Sequence, residues 1–411
     1  MNVTGIVVEY NPFHKGHLYH IKKAREVTKS EGIIAVMSGN FVQRGQPAII
    51  DKWNRTKMAL ENGADLVLEL PVVYSLSSAE FFAHGAISLF NNLGITNNIC
   101  FGSELGQIEP LLFIAQILNS EPDTFKALLK EQLSKGISYP AARNKALLDF
   151  LTHLDIKGVN LDIINLDNIL KSPNNILGIE YCKSILNLKS SIKPFSIERI
   201  GEKYNDTSLN HDISSSTAIR KYIEGNSSIT GLKEFLPGSV YCLLEKLQKG
   251  QYEFAFNNSM LKYIKYKYFS NKTNLIKNIP DVSEGIENRI FKFLNGSNSM
   301  KELIDKAKTK RYTYTRISRI LCQFFIGFEN WNTGAMRKAE CPYARVLGFN
   351  SVGLKILKEA KSKCSIPIYT KLPRNIKNSL ALDVQSTKMY SLLNKNINPM
   401  SDYLISPIKY I

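Results

Sequence analysis

Residues 9–20 read EYNPFHKGHLYH and hold three of the six histidines of the chain, His14, His17 and His20. His14 and His17 enclose Lys15 and Gly16 just after an Asn-Pro turn. Such a turn opens onto a helix, and the first N–H groups of a helix have no intrahelical partner. They favour an anion, and a phosphate there gains donors and a favourable dipole. Two imidazoles three residues apart add donors to the same phosphate. Gly16, without a side chain, lets a phosphate or a flat ring approach the backbone. The expected chemistry is therefore a nucleotide-phosphate cradle built from histidines, with His14 and His17 as catalytic donors. A metal site is the competing reading. Spacing of i, i+3, i+6 turns the third ring away from the first, and no neighbouring cysteine or carboxylate pattern completes a ligand set, so no metal-ligating residue is expected. His20 taken alone reads as core-facing.

A second stretch, ISSSTAIR at 213–220, puts Ser214, Ser215, Ser216 and Thr217 at a helix start. Their hydroxyls and N–H groups can hold a β,γ-phosphate, and Arg220 adds charge. By itself it is a well-capped helix.

These residues need elements to position them. NVTGIVVEY is a β-branched apolar run and reads as a buried strand, followed by the turn NPF and a helix through GHLYHIKKAREVTKS. GIIAVMSG, ADLVLELP and NNICFGSE read as three further strands. DKWNRTKMALENG reads as a helix, and so does SSAEFFAHGAISLFNNLG, with Ser77 or Ser78 as N-cap and Gly94 past its end. Alternating strands and helices, with near-continuous apolar strands, imply an α/β fold with a Rossmann-like parallel sheet covered on both faces. Ligands then bind beyond the carboxyl ends of the strands, where EYNPFHKGH, SGNFVQRG and FGSE should converge. After residue 105 the pattern turns helical. LDIINLDNI reads as another strand, SPNNILGIEYCKSIL as a helix capped by Ser172 or Asn174, FSIERIG as a strand and DISSSTAIRKYIEG as a serine-capped helix. NSSITGLKEFLPG reads as a boundary, giving domains at 1–228 and 229–411, the second mainly helical.

Composition narrows the function. A chain of 411 residues predicts two or three domains, and 44% apolar with 22% charged residues is ordinary for a globular protein. No run of 18 uncharged apolar residues occurs, so no membrane span is expected. The start meets Glu9 early and lacks a basic segment, unlike a signal peptide. Six widely spaced cysteines give neither a zinc pattern nor a disulfide framework and fit reduced thiols in the cytoplasm. Net charge is +17, and it is unevenly placed: residues 1–230 hold 23 Lys+Arg and 23 Asp+Glu, residues 231–411 hold 30 and 13. A neutral half joined to a strongly basic half points to a polyanion, nucleic acid above all. RYTYTRISR at 311–319 interleaves Arg311, Arg316 and Arg319 with Tyr312 and Tyr314, a pattern suited to phosphates and unpaired bases. LKYIKYKYF at 261–269 repeats the theme and can also be a strand with one wet face.

H-x-G-H after the first strand and ISSSTAIR some two hundred residues later resemble the two signatures of the HIGH-type nucleotidylyltransferases. GIVVEYNPFHKGHLYHI, MSGNFVQRGQPAI, GADLVLELP, CFGSE, SPNNILGIEY, ISSSTAIR, RYTYTRISRIL and YARVLGFN together resemble the bacterial tRNA(Met) cytidine acetate ligase family over nearly the whole chain. The resemblance implies activation of acetate by ATP as acetyl-adenylate, with Mg2+, then acetylation of N4 of the wobble cytidine of elongator tRNA(Met). It implies an ATP site along Val7, Val8, Glu9, Tyr10, Asn11, Pro12, Phe13, His14, Lys15, Gly16, His17, Leu18, Tyr19 and His20. That site continues through Gly102, Asn175 and the pair Arg199–Ile200. Asn174 is an alternative to Asn175, because the double asparagine leaves the register open, and the three serines leave open which hydroxyls face phosphate. Two rivals stand beside this reading. An adenylyltransferase acting on a small phosphorylated acceptor shares the histidine chemistry but does not need the basic half. A non-enzymatic RNA-binding protein explains the charge and leaves the cradle idle.

Overall fold

The computed structural model describes residues 1–152, 163–199, 215–270 and 274–411. The strands are β1 (Val3–Val8), β2 (Gly32–Ser38), β3 (Phe41–Val42), β4 (Gln46–Pro47), β5 (Leu66–Leu70), β6 (Asn98–Ser103), β7 (Lys193–Glu198), β8 (Ala344–Asn350), β9 (Ile368–Tyr369) and β10 (Ile408–Tyr410). Among the described residues, eight of them form one sheet in the order β10-β8-β5-β2-β1-β6-β7, with β9 beside β8, and β3 and β4 form a separate hairpin. Strands β2 and β5 are buried at every residue, as a sheet covered on both faces requires. The mostly parallel α/β sheet expected from the sequence is present.

Strand β8 differs: it runs antiparallel to β5. The basic segment therefore supplies strands to the same sheet as the neutral segment. A buried ionic group ties them. Lys52 Nζ donates to Glu69 at 2.7 and 2.8 Å and lies 2.8 Å from Asp402, while Arg345 reaches Glu69 at 3.2 Å and Asp402 at 2.9 Å. Burying charge is costly unless it is paired, and here two cations meet two carboxylates. Asp383 lies nearby, accepting from Val72 N–H at 2.7 Å and from the Tyr343 hydroxyl at 2.5 Å, and burial raises its carboxyl to about 8.

Helices cover both faces. Those read from the sequence form at Lys15–Thr28, Lys52–Glu61, Ala79–Leu93, Pro173–Asn187 and Ser216–Gly225. Ser78 is the N-cap of the third, and Gly94 ends it in the left-handed region. One expectation fails, and one alternative is set aside. Ile163–Lys171, which covers residues 163–169 of the expected strand LDIINLDNI and runs two residues past it, is a helix, and its buried Leu166, Ile169 and Leu170 serve packing against neighbouring helices such as Pro173–Asn187. LKYIKYKYF is also helical, at Leu261–Ser270, burying Leu261 and Ile264 and exposing Tyr266 and Phe269.

Candidate active site

Strand β1 pairs with β2 along six residues but with β6 only at Thr4–Asn98 and Gly5–Ile99. Beyond those two pairs the strands part. A cavity opens there, with Val7 and Val8 on one wall and Phe101 and Gly102 on the other. From β1 the chain runs to β2 and β5 on one side and returns to β6 on the other, so the crevice lies at the switch point of the sheet. EYNPFHKGH, SGNFVQRG and FGSE all reach it, through Glu9 to His20, Gln43 with Arg44, and Gly102.

His14 is the N-cap of the helix Lys15–Thr28. Its Nδ1 accepts from Gly16 N–H at 3.0 Å, and His17 Nδ1 accepts from His14 N–H at 3.2 Å. This is a capping box made of two imidazoles. A nitrogen that accepts a backbone N–H carries no proton, so both neutral rings hold theirs on Nε2. The pair thus presents two Nε2–H donors at the cavity. Burial first, then Arg199 and Arg220, pushes His14 down to about 3. Burial first, then His14 and Arg199, holds His17 well below its ordinary value. His20 Nε2 donates to Cys100 O at 3.2 Å and burial lowers it to about 4. His20 thereby spans β6 and the histidine helix. Tyr10 and Phe13, both fully buried, floor His17 at 4.9 and 5.5 Å between ring centroids. Tyr10 takes φ 49°, a strained value for an aromatic residue, where the chain leaves β1.

The ISSSTAIR helix docks onto this turn. Arg220 Nη1 donates to Asn11 O at 2.6 Å and Nη2 to Thr217 Oγ1 at 3.1 Å; Ser216 Oγ donates to Pro12 O at 3.4 Å. Ser215 is the cap, accepting from Ala218 N–H at 3.1 Å. Ser215, Ser216, Thr217 and Arg220 all line the cavity, opposite Gly102 and Arg199. A Cβ on Gly102 would fall 2.9 Å from Arg199 Cγ, so the glycine makes room for that arginine. Ser214 and Ile200 lie outside the described residues.

Not every expected residue reaches the wall. Pro12, Phe13, Lys15 and Leu18 support it without lining it. Asn175 is buried, with Oδ1 accepting from Glu104 N–H at 3.0 Å and Leu105 N–H at 3.2 Å, while its own N–H donates to Glu104 Oε2 at 2.9 Å. It builds the FGSE loop, and the asparagine on the wall is Asn174. Some lining residues carried no signal in the sequence: Phe82, Leu177 and Tyr181 arrive on helices whose register only packing sets. Arg55, which does not line the cavity, supports it without a sequence signal. Fully buried, it donates to the carbonyls of Ile50 at 2.9 Å, Glu9 at 2.7 Å and Ser38 at 3.0 Å, and to Gly39, clasping the ends of β1 and β2.

In the RYTYTRISR segment, Arg311 and Tyr314 face solvent. Arg311 pairs with Glu284 at 2.6 Å, and the Tyr312 hydroxyl donates to Glu284 O at 2.6 Å. Arg316 and Arg319 turn inward toward Asp281, so the expected open ladder of arginines and tyrosines is only partly exposed.

Among the described residues no three His, Cys, Asp or Glu side chains gather as a metal site, and no helix is long and apolar enough to cross a membrane. The profile of the family described as HIGH Nucleotidyl Transferase matches residues 1–403. A protein of Clostridium kluyveri named tRNA(Met) cytidine acetate ligase is 56% identical over 99% of both chains. One of Clostridium tetani with the same name is 53% identical over 99% of this chain and 100% of its own. The crystal structure of Thermotoga maritima TmcAL in its apo form superposes with a TM-score of 0.89 at 34% identity, covering 100% of this chain and 99% of the other. The same protein bound with alpha-thio ATP superposes with a TM-score of 0.87, at the same identity and coverage.

Proposed function

The chain belongs to the HIGH nucleotidyl transferase family, and on that premise we propose that it is an ATP-dependent ligase acting on acetate and tRNA(Met). It forms acetyl-adenylate and acetylates N4 of the wobble cytidine of the elongator tRNA. One observation carries the reading: two neutral imidazoles, each with Nδ1 occupied by a backbone N–H, direct two Nε2–H donors at a cavity walled by Arg199, Arg220 and the serine-capped helix.

An acetate oxygen attacks the α-phosphorus of ATP, and pyrophosphate leaves. His14 and His17 donate to the phosphoryl oxygens as charge builds, a preorganised electrostatic role that moves no proton. Arg199 and Arg220 balance the charge of the leaving pyrophosphate. The cytidine N4 then attacks the acetyl carbonyl, and AMP departs. Mg2+ supplies further charge neutralisation when bound. Glu9 and Glu198 are the carboxylates on the cavity wall that would hold such an ion beside the nucleotide. Residues 1–228 serve ATP and acetate, and residues 229–411 serve the tRNA. This is a division of labour, since β8 and β10 complete the common sheet. A cytoplasmic location goes with a tRNA substrate and six free thiols.

A small-acceptor adenylyltransferase leaves the basic half without a role, and a plain RNA-binding protein leaves the histidine cradle without one. Incubation with ATP and labelled acetate, with and without bulk tRNA, separates the three. Label recovered as N4-acetylcytidine supports the ligase. Transfer of AMP to a nucleotide supports the first rival, and no ATP consumption supports the second.

A further inference from the structure

We propose that Arg316, Arg319 and Arg337, gathered round Asp281, seat a backbone phosphate of the RNA at the rim of the ATP cavity, close to the base that is acetylated. The proposal rests on the ligase reading and adds the place where the RNA is gripped.

Charge is the first argument. Arg337 Nη1 lies 2.7 Å from Asp281 Oδ1, and Arg319 Nε lies 3.6 Å from Oδ2. Arg316 Nε donates to Asp281 O at 3.0 Å and Nη2 to Ser283 Oγ at 2.7 Å. Two guanidinium groups, of Arg319 and Arg337, share the Asp281 carboxylate, the third, of Arg316, holds the backbone carbonyl of the same residue, and the nearby Glu284 is engaged by Arg311. The buried group of Lys52, Glu69, Arg345 and Asp402, which only holds the fold, has as many anions as cations. Arg337 and Arg319, 12% and 14% exposed, outnumber their one carboxylate by one charge, and Arg316 beside them adds a second; such an excess is the mark of a place prepared for an anion.

Unmet donors are the second. The buried Nε of Arg337 makes no hydrogen bond, and the buried Nε of Arg319 has only the long 3.6 Å approach to Asp281 Oδ2. Leaving such donors unmet is costly, and a phosphate oxygen meets them.

Position is the third. The Arg337 guanidinium stacks 4.1 Å from the Phe81 ring centroid, and the next residue, Phe82, lines the ATP cavity. On the other side Ser318 Oγ donates to Gly45 O at 2.9 Å, and a Cβ on Gly45 would fall 2.3 Å from Arg319 N. Gly45 sits between Arg44 and Gln46, both on the cavity wall. The cluster is therefore separated from cavity-lining residues by a single residue, Phe81 or Gly45, at two separate points. A polyanion held there has its neighbouring nucleotide within reach of the adenylate, which a site elsewhere on the basic half would not ensure.

The test titrates tRNA(Met) against wild type, Arg337→Gln and Arg316→Gln at several salt concentrations, with thermal melts and acetate-dependent ATP–pyrophosphate exchange alongside. The expected result is a dissociation constant raised about tenfold. The slope of log affinity on log salt should flatten by about 0.7 to 0.9 for each phosphate that the variant no longer neutralises. Wild-type affinity and slope in a folded variant would overturn the proposal. A loss of exchange as large as the loss of tRNA affinity would also overturn it, by placing the cluster in service of ATP. If the variants unfold, the wild-type protein still decides: phenylglyoxal modification of Arg316 and Arg337 should be slowed by tRNA and not by ATP or pyrophosphate. Equal modification with and without tRNA rejects the site. Failure of wild type to acetylate any RNA counts against the ligase reading, whereas protection of these arginines by tRNA reads the cluster independently.

Discussion

The rings of His14 and His17 lie stacked, 3.8 Å between centroids and 29° between planes. Two imidazolium cations at that separation would repel, so the arrangement belongs to neutral rings, each holding its proton on Nε2. Replacing His17 with Ala should lower acetate-dependent ATP–pyrophosphate exchange by about two orders of magnitude, as losing a preorganised donor does. Loss of the cap on His14 N–H should cost about 1 kcal/mol. Exchange kinetics and a thermal melt measure the two effects. Near-normal exchange in the folded variant removes His17 from the chemistry.

Stability should fall as the medium turns acid. His14 is held down to about 3, His20 to about 4, and His17 well below its ordinary value, burial being the first cause for each. Unfolded imidazoles titrate near 6.5, so below that pH the unfolded chain binds protons that the folded chain refuses. The contribution is complete above about pH 6.5 and drains toward pH 4, by at most about 1.4 kcal/mol per pH unit for each ring. Urea melts from pH 8 to pH 4.5 should show this. His20→Gln, which keeps a donor for Cys100 O, should reduce the slope by one proton. An unchanged slope in that variant contradicts a neutral His20.

The two asparagines of SPNNILG should separate by assay. Asn175→Ala leaves the N–H groups of Glu104 and Leu105 unmet and should destabilise the fold by about 1 to 3 kcal/mol. Asn174→Ala, on the cavity wall, should raise KM for ATP several-fold and leave the melting temperature in place. The reverse pattern would exchange their roles.

Lys52→Met should destabilise the chain by about 3 to 5 kcal/mol, because Glu69 and Asp402 are then left facing each other in the core with only Arg345 between them. For the same reason a fragment of residues 1–228 should not fold alone: it exposes the β5 edge that β8 covers and leaves Lys52 and Glu69 without Arg345 and Asp402. Circular dichroism of the fragment tests this, and a cooperative melt would contradict it.

What the sequence determined by itself was local. A β-branched run, an Asn-Pro turn and H-x-G-H make strand, turn and helix start wherever they occur, because apolar period and capping act over a few residues. That was enough to place His14 and His17 at a helix N-terminus in the crevice, to bring the strand ends of EYNPFHKGH and FGSE together, and to show the basic half by its charge. Tertiary structure alone decided which face of each later element looks inward. Asn175 rather than Asn174 is buried because the FGSE loop takes its carboxamide, and Arg316 and Arg319 turn inward because Asp281 awaits them. Residues 163–169 of LDIINLDNI are helical because the neighbouring helices accept Leu166 and Ile169, a choice that a short apolar run does not make for itself. The antiparallel entry of β8 beside β5 depends on partners far apart in the chain, Lys52 and Glu69 with Arg345 and Asp402, and burial of charge is settled only when all four meet.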